Sequence, residues 1–493
     1  MTRVTGRREF LREALFAATA LAPASVLLRA TDRIRLESGL TSQKIIVIGA
    51  GLAGLSAAYE LTKAGHDVTV LEAQNRPGGR VHTLRDPFAE GLYAEAGATR
   101  IPDDHHFTLK YAELFGLTLD PFEPPDVPSV YYVRGQRIKV TPGQKMEWPY
   151  QLTPEERALG LDGMRQKYIW SMLSELGDVT DPHWPSPETL EKYDHMNRSD
   201  FWRSRGASSE AVALLSGCDP SDRRSALFML RNQALHQKGN QYFKIRGGTD
   251  LLPRAFANRL SEKIHYAAPV VRIEHSPQGV KAVFRRASGY HTIAGDYLIC
   301  AVPFSVQKNI EVVPAFSSEK QRAIEQLPYL SASKIFLQSR KRFWVDDGLS
   351  GFATTDLPIC QVWDMTYLQP GTRGILQAYP ISLHSRRVTG MSETERIDFA
   401  LDQVETVYPG MRENFEGGVT KCWDEDEWAR GASAYYKPGQ FGSLLPYVAR
   451  PEGRIYFAGE HTSVWIDGWM QGALESGNRV AQEIQAAVAR REG

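Results

Sequence analysis

The chain has 493 residues, enough for a large core and for two intertwined domains. Its 58 basic and 58 acidic residues cancel to a formal net charge of +0, so no whole-chain field draws it to nucleic acid or to an anionic membrane surface. The four cysteines, Cys218, Cys300, Cys360 and Cys422, include no Cys-x-x-Cys pair, so neither a metal site nor a dense disulfide framework is expected.

The N-terminus differs from the rest. Arg7 and Arg8, followed by Phe10 and Leu11, precede an uncharged Ala- and Leu-rich run from 14 to 28 that is too short to span a bilayer. The paired arginines resemble a twin-arginine export signal, which predicts a periplasmic or extracellular protein. Residues 1–38 are therefore set aside from the fold.

A β-branched apolar run over 44–48 reads as a buried parallel strand. It leads into Gly49, Gly51 and Gly54 in Gly-x-Gly-x-x-Gly spacing, then an apolar-spaced helix over 55–64 stopped by Gly65, then a strand over 67–71 ending at Glu72. This order suits a dinucleotide. Gly49 permits the tight turn, Gly51 lets the backbone approach a diphosphate, and Gly54 lets the helix pack closely on the strand. The helix N-terminus offers free N–H groups and a partial positive charge. Glu72 is placed to accept hydrogen bonds from ribose hydroxyls and to repel a 2′-phosphate.

Immediately after Glu72 and Ala73 comes Arg76, then Gly78, Gly79 and Arg80. This Arg-x-Gly-Gly-Arg stretch resembles the signature of the flavin amine oxidase superfamily. The resemblance implies FAD as the cofactor, with Arg80 adding charge near the flavin. It continues in chain order. The stretch Gly97, Ala98, Thr99, Arg100, Ile101, Pro102 resembles the bacterial L-amino acid oxidase branch, in which the arginine holds the substrate carboxylate. A guanidinium does this bidentately, fixing orientation as well as charge. The alternative reading of Arg100 is a structural ion pair with an acid such as Glu95. Gly247 and Gly248 resemble the family's glycine turn, Val271 the strand whose backbone meets the adenine, and 297–303 the strand that closes the FAD domain.

Further matches carry further roles by resemblance. Lys334, with Phe343 and Trp344 downstream, matches a lysine that holds a water near flavin N5, although by strand alternation alone it would be a solvated residue. Trp423 matches a tryptophan near the flavin. Trp363 is a looser match to a carboxylate contact, and Asp364 beside it would favour a cationic substrate side chain if it faced the pocket. Tyr435 and Tyr436 are candidates for the opposite wall. Monoamine oxidases carry a flavin-bonding cysteine near this point. The stretch 430–436 has none, so FAD is expected to be non-covalent.

Near the C-terminus a strand from 453 leads to Gly459, Glu460 and His461, and a helix opens near Met470. This resembles the superfamily's second FAD motif. It implies a ribityl or diphosphate contact from Glu460, the helix dipole of Met470 on the flavin, a carbonyl from Gly468 for the substrate amino group, and an aromatic wall from Trp469. His236 and His461 receive no role.

The expected fold is α/β, a Rossmann-like FAD-binding domain (40–105, 240–305 and 420–490) interleaved with a mixed-sheet substrate-binding domain (106–239 and 306–419). The expected activity is oxidative deamination of L-amino acids by dioxygen, giving 2-oxo acids, ammonia and hydrogen peroxide, with Arg100, Lys334 and Trp469 at the reacting end. An amine or polyamine oxidase is the alternative. Dehydrogenase or monooxygenase chemistry and a flavin-binding subunit without turnover are the further rivals. A homodimer is the expected assembly, with no nucleic acid and no membrane as partner.

Overall fold

The computed structural model describes residues 40–492 apart from 142, 145, 182, 220–222, 236–240 and 465. The proposed export segment and His236 lie outside the described residues.

Five parallel strands form the first sheet, in the order Ile264–His265, Asp67–Leu71, Lys44–Ile48, Tyr297–Cys300, Ile455–Phe457. Ile45 to Ile48 are buried on both faces, which is why the sequence shows an unbroken apolar run rather than alternation. The helix Leu52–Lys63 starts directly after Gly51, three residues earlier than the periodicity suggested, because the glycine turn itself is the start. A methyl group at Gly54 would fall on the carbonyl oxygen of Gly49, so only glycine allows this helix to pack where it does.

The helix Met470–Glu492 lies against Leu52–Lys63. Gly477 serves this helix–helix contact, since a Cβ there would strike Ser56 Oγ and the Ala53 carbonyl, while Ala473 lines a cavity. Val480, Ala481, Ile484 and Val488 continue the buried face. These two helices, distant in sequence, thereby pack together beside the parallel sheet.

A seven-stranded mixed sheet runs Phe415–Cys422, Ser333–Ser339, Gly374–Ala378, Gln361–Asp364, Ala353–Thr355, Ser129–Val133, Gln136–Val140. All neighbours are antiparallel except the pairing of Ala353–Thr355 with Ser129–Val133. Every residue of Ser333–Ser339 is buried, so this central strand carries no solvated face. Among smaller sheets, Ile101–Pro102 and Leu119–Pro121 flank Tyr242–Ile245. A four-stranded sheet contains Val270–His275. No helix among the described residues is long and apolar enough to cross a membrane, and none of their His, Cys, Asp and Glu groups could hold a metal ion.

Candidate active site

A cavity of about 430 Å3 runs from the glycine turn of the parallel sheet to the edge of the seven-stranded sheet. Gly49, Gly51, Glu72, Ala73 and Arg80 line it from the N-terminal segment, joined by Gly97, Ala98 and Val271, and then Trp423, Glu460, Gly468, Trp469 and Met470 from the last quarter of the chain. Gly54, Thr99 and Arg100 lie behind or beyond this wall.

At the dinucleotide end, the cap of the Leu52–Lys63 helix is Gly51, with no side-chain cap and no acid in the first turn. The chain therefore leaves the helix N-terminus open to an anion. A Cβ at Gly51 would meet no protein atom within 4 Å, so the space it faces belongs to the cavity. Glu72 is buried, and its carboxylate accepts N–H bonds from Ala50 (2.6 Å) and Gln74 (2.8 Å). Burial pushes its pKa up, while these amides and the Arg76 charge pull it back. The carboxylate thus also ties the glycine turn to its own strand, a duty the sequence reading had not included.

Arg80 reaches the far motif. Its guanidinium donates to Glu460 Oε1 (2.6 Å) and to the Ala432 carbonyl (2.9 Å). Glu460 also accepts from the Gly468 amide at 2.8 Å and the Ala434 amide at 3.3 Å. Glu460 therefore organises the cavity wall as well as lining it. Trp423 donates from Nε1 to the Ala96 carbonyl at 2.8 Å, tying its indole to the segment that carries Gly97 and Ala98.

Lys334 is buried, not solvated. Its Nζ donates to the carbonyls of Glu95 (2.8 Å) and Gly97 (2.7 Å) and to Thr99 Oγ1 (3.0 Å). These contacts occupy all three N–H directions of an ammonium, so a water held by Lys334, as the resemblance implies, requires one of them to give way. Burial lowers the Lys334 pKa, against the pull of Glu95, and raises that of Glu95.

Glu95 does not pair with Arg100. Its carboxylate accepts from Thr83 Oγ1 and the Thr249 amide, both at 2.8 Å. Arg100 makes no ion pair among the described residues. Its guanidinium carbon sits 4.8 Å from the ring centre of Trp363, 5.1 Å from Tyr242, 5.7 Å from Trp469 and 6.0 Å from Phe122. Four rings thus surround the cation, within the range in which a guanidinium is attracted to an aromatic ring.

Tyr379, which the sequence reading missed, lines the cavity after the strand Gly374–Ala378. Its ring packs 5.1 Å from that of Trp363, and Lys334 Nζ lies 5.3 Å from its centre. An aromatic residue ending a wholly buried strand was the one available signal. Tyr435 does not line the cavity: it is 5 % exposed and belongs to the buried apolar core, with Tyr436. Their positions in sequence could not reveal which side of the 430–436 loop they face. Asp364 is likewise turned away, its carboxylate accepting from Thr366 N (2.7 Å), Thr366 Oγ1 (2.6 Å) and Trp344 Nε1 (3.2 Å). His461 packs on Phe304 with ring centres 4.4 Å apart, and burial holds it neutral.

An open helix N-terminus, a buried acid at the end of the second strand and a long cavity lined by both the N-terminal and the C-terminal motif define a dinucleotide-binding oxidoreductase, and the groups present fit FAD. The chain belongs to the family of flavin-containing amine oxidoreductases, whose sequence model matches residues 52–485. It is 33% identical over 470 residues to the "Putative L-amino-acid oxidase YobN" of Bacillus subtilis (strain 168), covering 91% of this chain and 97% of that one. To the L-amino-acid oxidase of Demansia vestigiata it is 30% identical over 458 residues, covering 90% and 87%. In fold it is similar to cyclohexylamine oxidase from Brevibacterium oxydans IH-35A, with a TM-score of 0.79, 23% identity and coverage of 91% and 100%. A putrescine oxidase bound to putrescine superposes with a TM-score of 0.77 at 22% identity, covering 90% and 99%.

Proposed function

We propose that the protein is a FAD-dependent L-amino acid oxidase, converting L-amino acids, dioxygen and water to 2-oxo acids, ammonia and hydrogen peroxide, the water hydrolysing the imino acid formed by hydride loss. The observation that carries this reading is Arg100, a cation in an aromatic cage that forms no ion pair within 4.0 Å among the described residues, although its charge reaches the Glu123 carboxylate. The naming of its curated relatives as L-amino-acid oxidases supports it.

The bound flavin supplies a hydride acceptor that dioxygen reoxidises. The chain supplies orientation. Arg100 takes the α-carboxylate bidentately, the Gly468 carbonyl accepts from the amino group, and Trp469 and Tyr379 confine the Cα between them. Lys334 holds the backbone of 95–99 in place. The hydrogen leaves Cα with its electron pair, so no strong protein base is required, and positioning with exclusion of water provides most of the acceleration. The parallel-sheet region holds the cofactor and the seven-stranded sheet the substrate. The absence of cysteine from the cavity lining supports a non-covalent cofactor.

The test is anaerobic flavin bleaching with L-leucine, L-phenylalanine, L-glutamate and L-lysine against cyclohexylamine and putrescine, followed by peroxide release in air. Bleaching by amino acids is expected. Bleaching by the amines alone would make the chain an amine oxidase, and bleaching without peroxide would make it a dehydrogenase. The N-terminal segment is proposed as a twin-arginine signal for export, and the assembly as a homodimer. Cell fractionation with Arg7 and Arg8 replaced by lysine tests the first, sedimentation the second.

A further inference from the structure

The segment 466–469 carries both Gly468 and Trp469 to the cavity. Gly468 has φ +80°, a conformation suited to glycine, and its amide is held by Glu460 from within the same motif. A second hold comes from far away in the chain. Arg231, on the helix Ala226–Leu235, donates to the Val464 carbonyl and pairs with Asp467 at 3.3 Å. The two side chains are 3 % and 1 % exposed, and no other ion pair among the described residues is so completely buried on both sides. Arg231 is itself fixed from outside by the rings of Trp184 and Phe441, 5.7 and 6.0 Å from its guanidinium carbon. It does not line the cavity.

A buried ion pair is weak evidence for stability, since well-packed apolar residues often do as well. Its value lies in geometry: Arg231 fixes Val464 and Asp467, and Asp467 directly precedes the glycine whose carbonyl and the tryptophan whose ring face the substrate. Trp469 stands edge-on to His105 with centres 5.1 Å apart and 5.7 Å from Arg100, so a shift of the segment changes the cage around the substrate carboxylate. We infer that Arg231 and Asp467 are positioning residues that set substrate affinity by holding Gly468 and Trp469 in register with Arg100. This rests on the reading that Gly468 and Trp469 contact an amino acid.

The experiment compares the holoenzymes of wild type, R231K, R231M and the apolar double variant R231M/D467L. Two readouts are taken: amide hydrogen exchange of 463–470, which needs no substrate, and the concentration dependence of anaerobic flavin reduction by the best amino acid of the panel above. In R231M and the double variant, exchange in 463–470 is expected to rise with the rest of the chain unchanged. The half-saturating substrate concentration should rise about 10-fold or more, and the limiting reduction rate should fall as well, because Gly468 and Trp469 orient the reacting Cα. R231K, which keeps the charge, should recover part of the affinity. Unchanged exchange in R231M overturns the proposal by itself. Increased exchange with wild-type affinity instead overturns the substrate-contact reading of Gly468 and Trp469, and the proposal with it.

Discussion

Arg80 and Glu460, 380 positions apart in the chain, form an ion pair of 2.6 Å on the wall of the cofactor cavity. The pair joins the N-terminal dinucleotide motif to the C-terminal one, and Glu460 passes the constraint on to the Gly468 amide. Replacing Glu460 by glutamine keeps an acceptor for that amide but removes the charge that balances Arg80. Hydrogen bonds to charged groups contribute about 1.5–3 kcal/mol, so flavin affinity should fall roughly 10- to 100-fold. The ratio of flavin to protein absorbance after gel filtration reports this.

Arg100→Ala should raise the half-saturating concentration of amino acids by about 100-fold or more, the effect of removing one partner of a desolvated charge pair. Cyclohexylamine, which has no carboxylate, should bind no worse. Steady-state peroxide assays on both substrate classes distinguish these outcomes, and unchanged amino-acid kinetics would remove the role assigned to Arg100.

Lys334→Met should leave a folded, flavin-loaded protein in which three acceptors, the carbonyls of Glu95 and Gly97 and Thr99 Oγ1, have lost their donor. The 95–99 backbone would shift, and a displacement of about 1 Å at a reacting site can lower the rate on the order of 100-fold. Stopped-flow reduction at saturating substrate should show a loss of that size. A wild-type rate would reduce Lys334 to a packing residue.

Lys320 is fully buried, donates to the Val448 carbonyl at 3.1 Å and lies 3.7 Å from the ring centre of Phe457. Burial pulls its pKa down to about 7. An unfolded lysine keeps its proton to about 10.4, so between these values the unfolded chain binds more protons than the native one. Stability therefore rises with pH across that window through this residue, by at most about 1.4 kcal/mol per pH unit. In thermal unfolding at pH 7 and 9.5, Lys320→Met should lack this rise and be no less stable at pH 7.

Gly477→Val should drive the helix Met470–Glu492 away from Leu52–Lys63, because a Cβ there already strikes Ser56 Oγ. Overpacking of this kind destabilises by about 1–3 kcal/mol. A lower melting temperature together with weaker flavin retention is expected, whereas Gly453, exposed at a turn, should tolerate alanine better than Gly477 does.

The sequence alone determined the strand Lys44–Ile48, the glycine turn and the strand Asp67–Leu71, whereas Val271, Trp423, Glu460, Gly468 and Met470 were reached by resemblance and lie together in the cavity wall. The strands and the turn are local features: a run of β-branched residues, glycines at fixed offsets and an acid at a strand end each state their own geometry within a few positions. Arg100 and Lys334 were found by resemblance, but the sequence did not tell a free guanidinium from one paired with Glu95. Only the tertiary structure excluded the Glu95 pair, by sending Glu95 to Thr83 and Thr249 and surrounding Arg100 with Phe122, Tyr242, Trp363 and Trp469 within electrostatic reach of Glu123. It also brought in Tyr379, turned Tyr435 into the core and set Arg231 against Asp467. Such contacts join residues hundreds of positions apart, and nothing in the periodicity of one segment records which face of another it will meet.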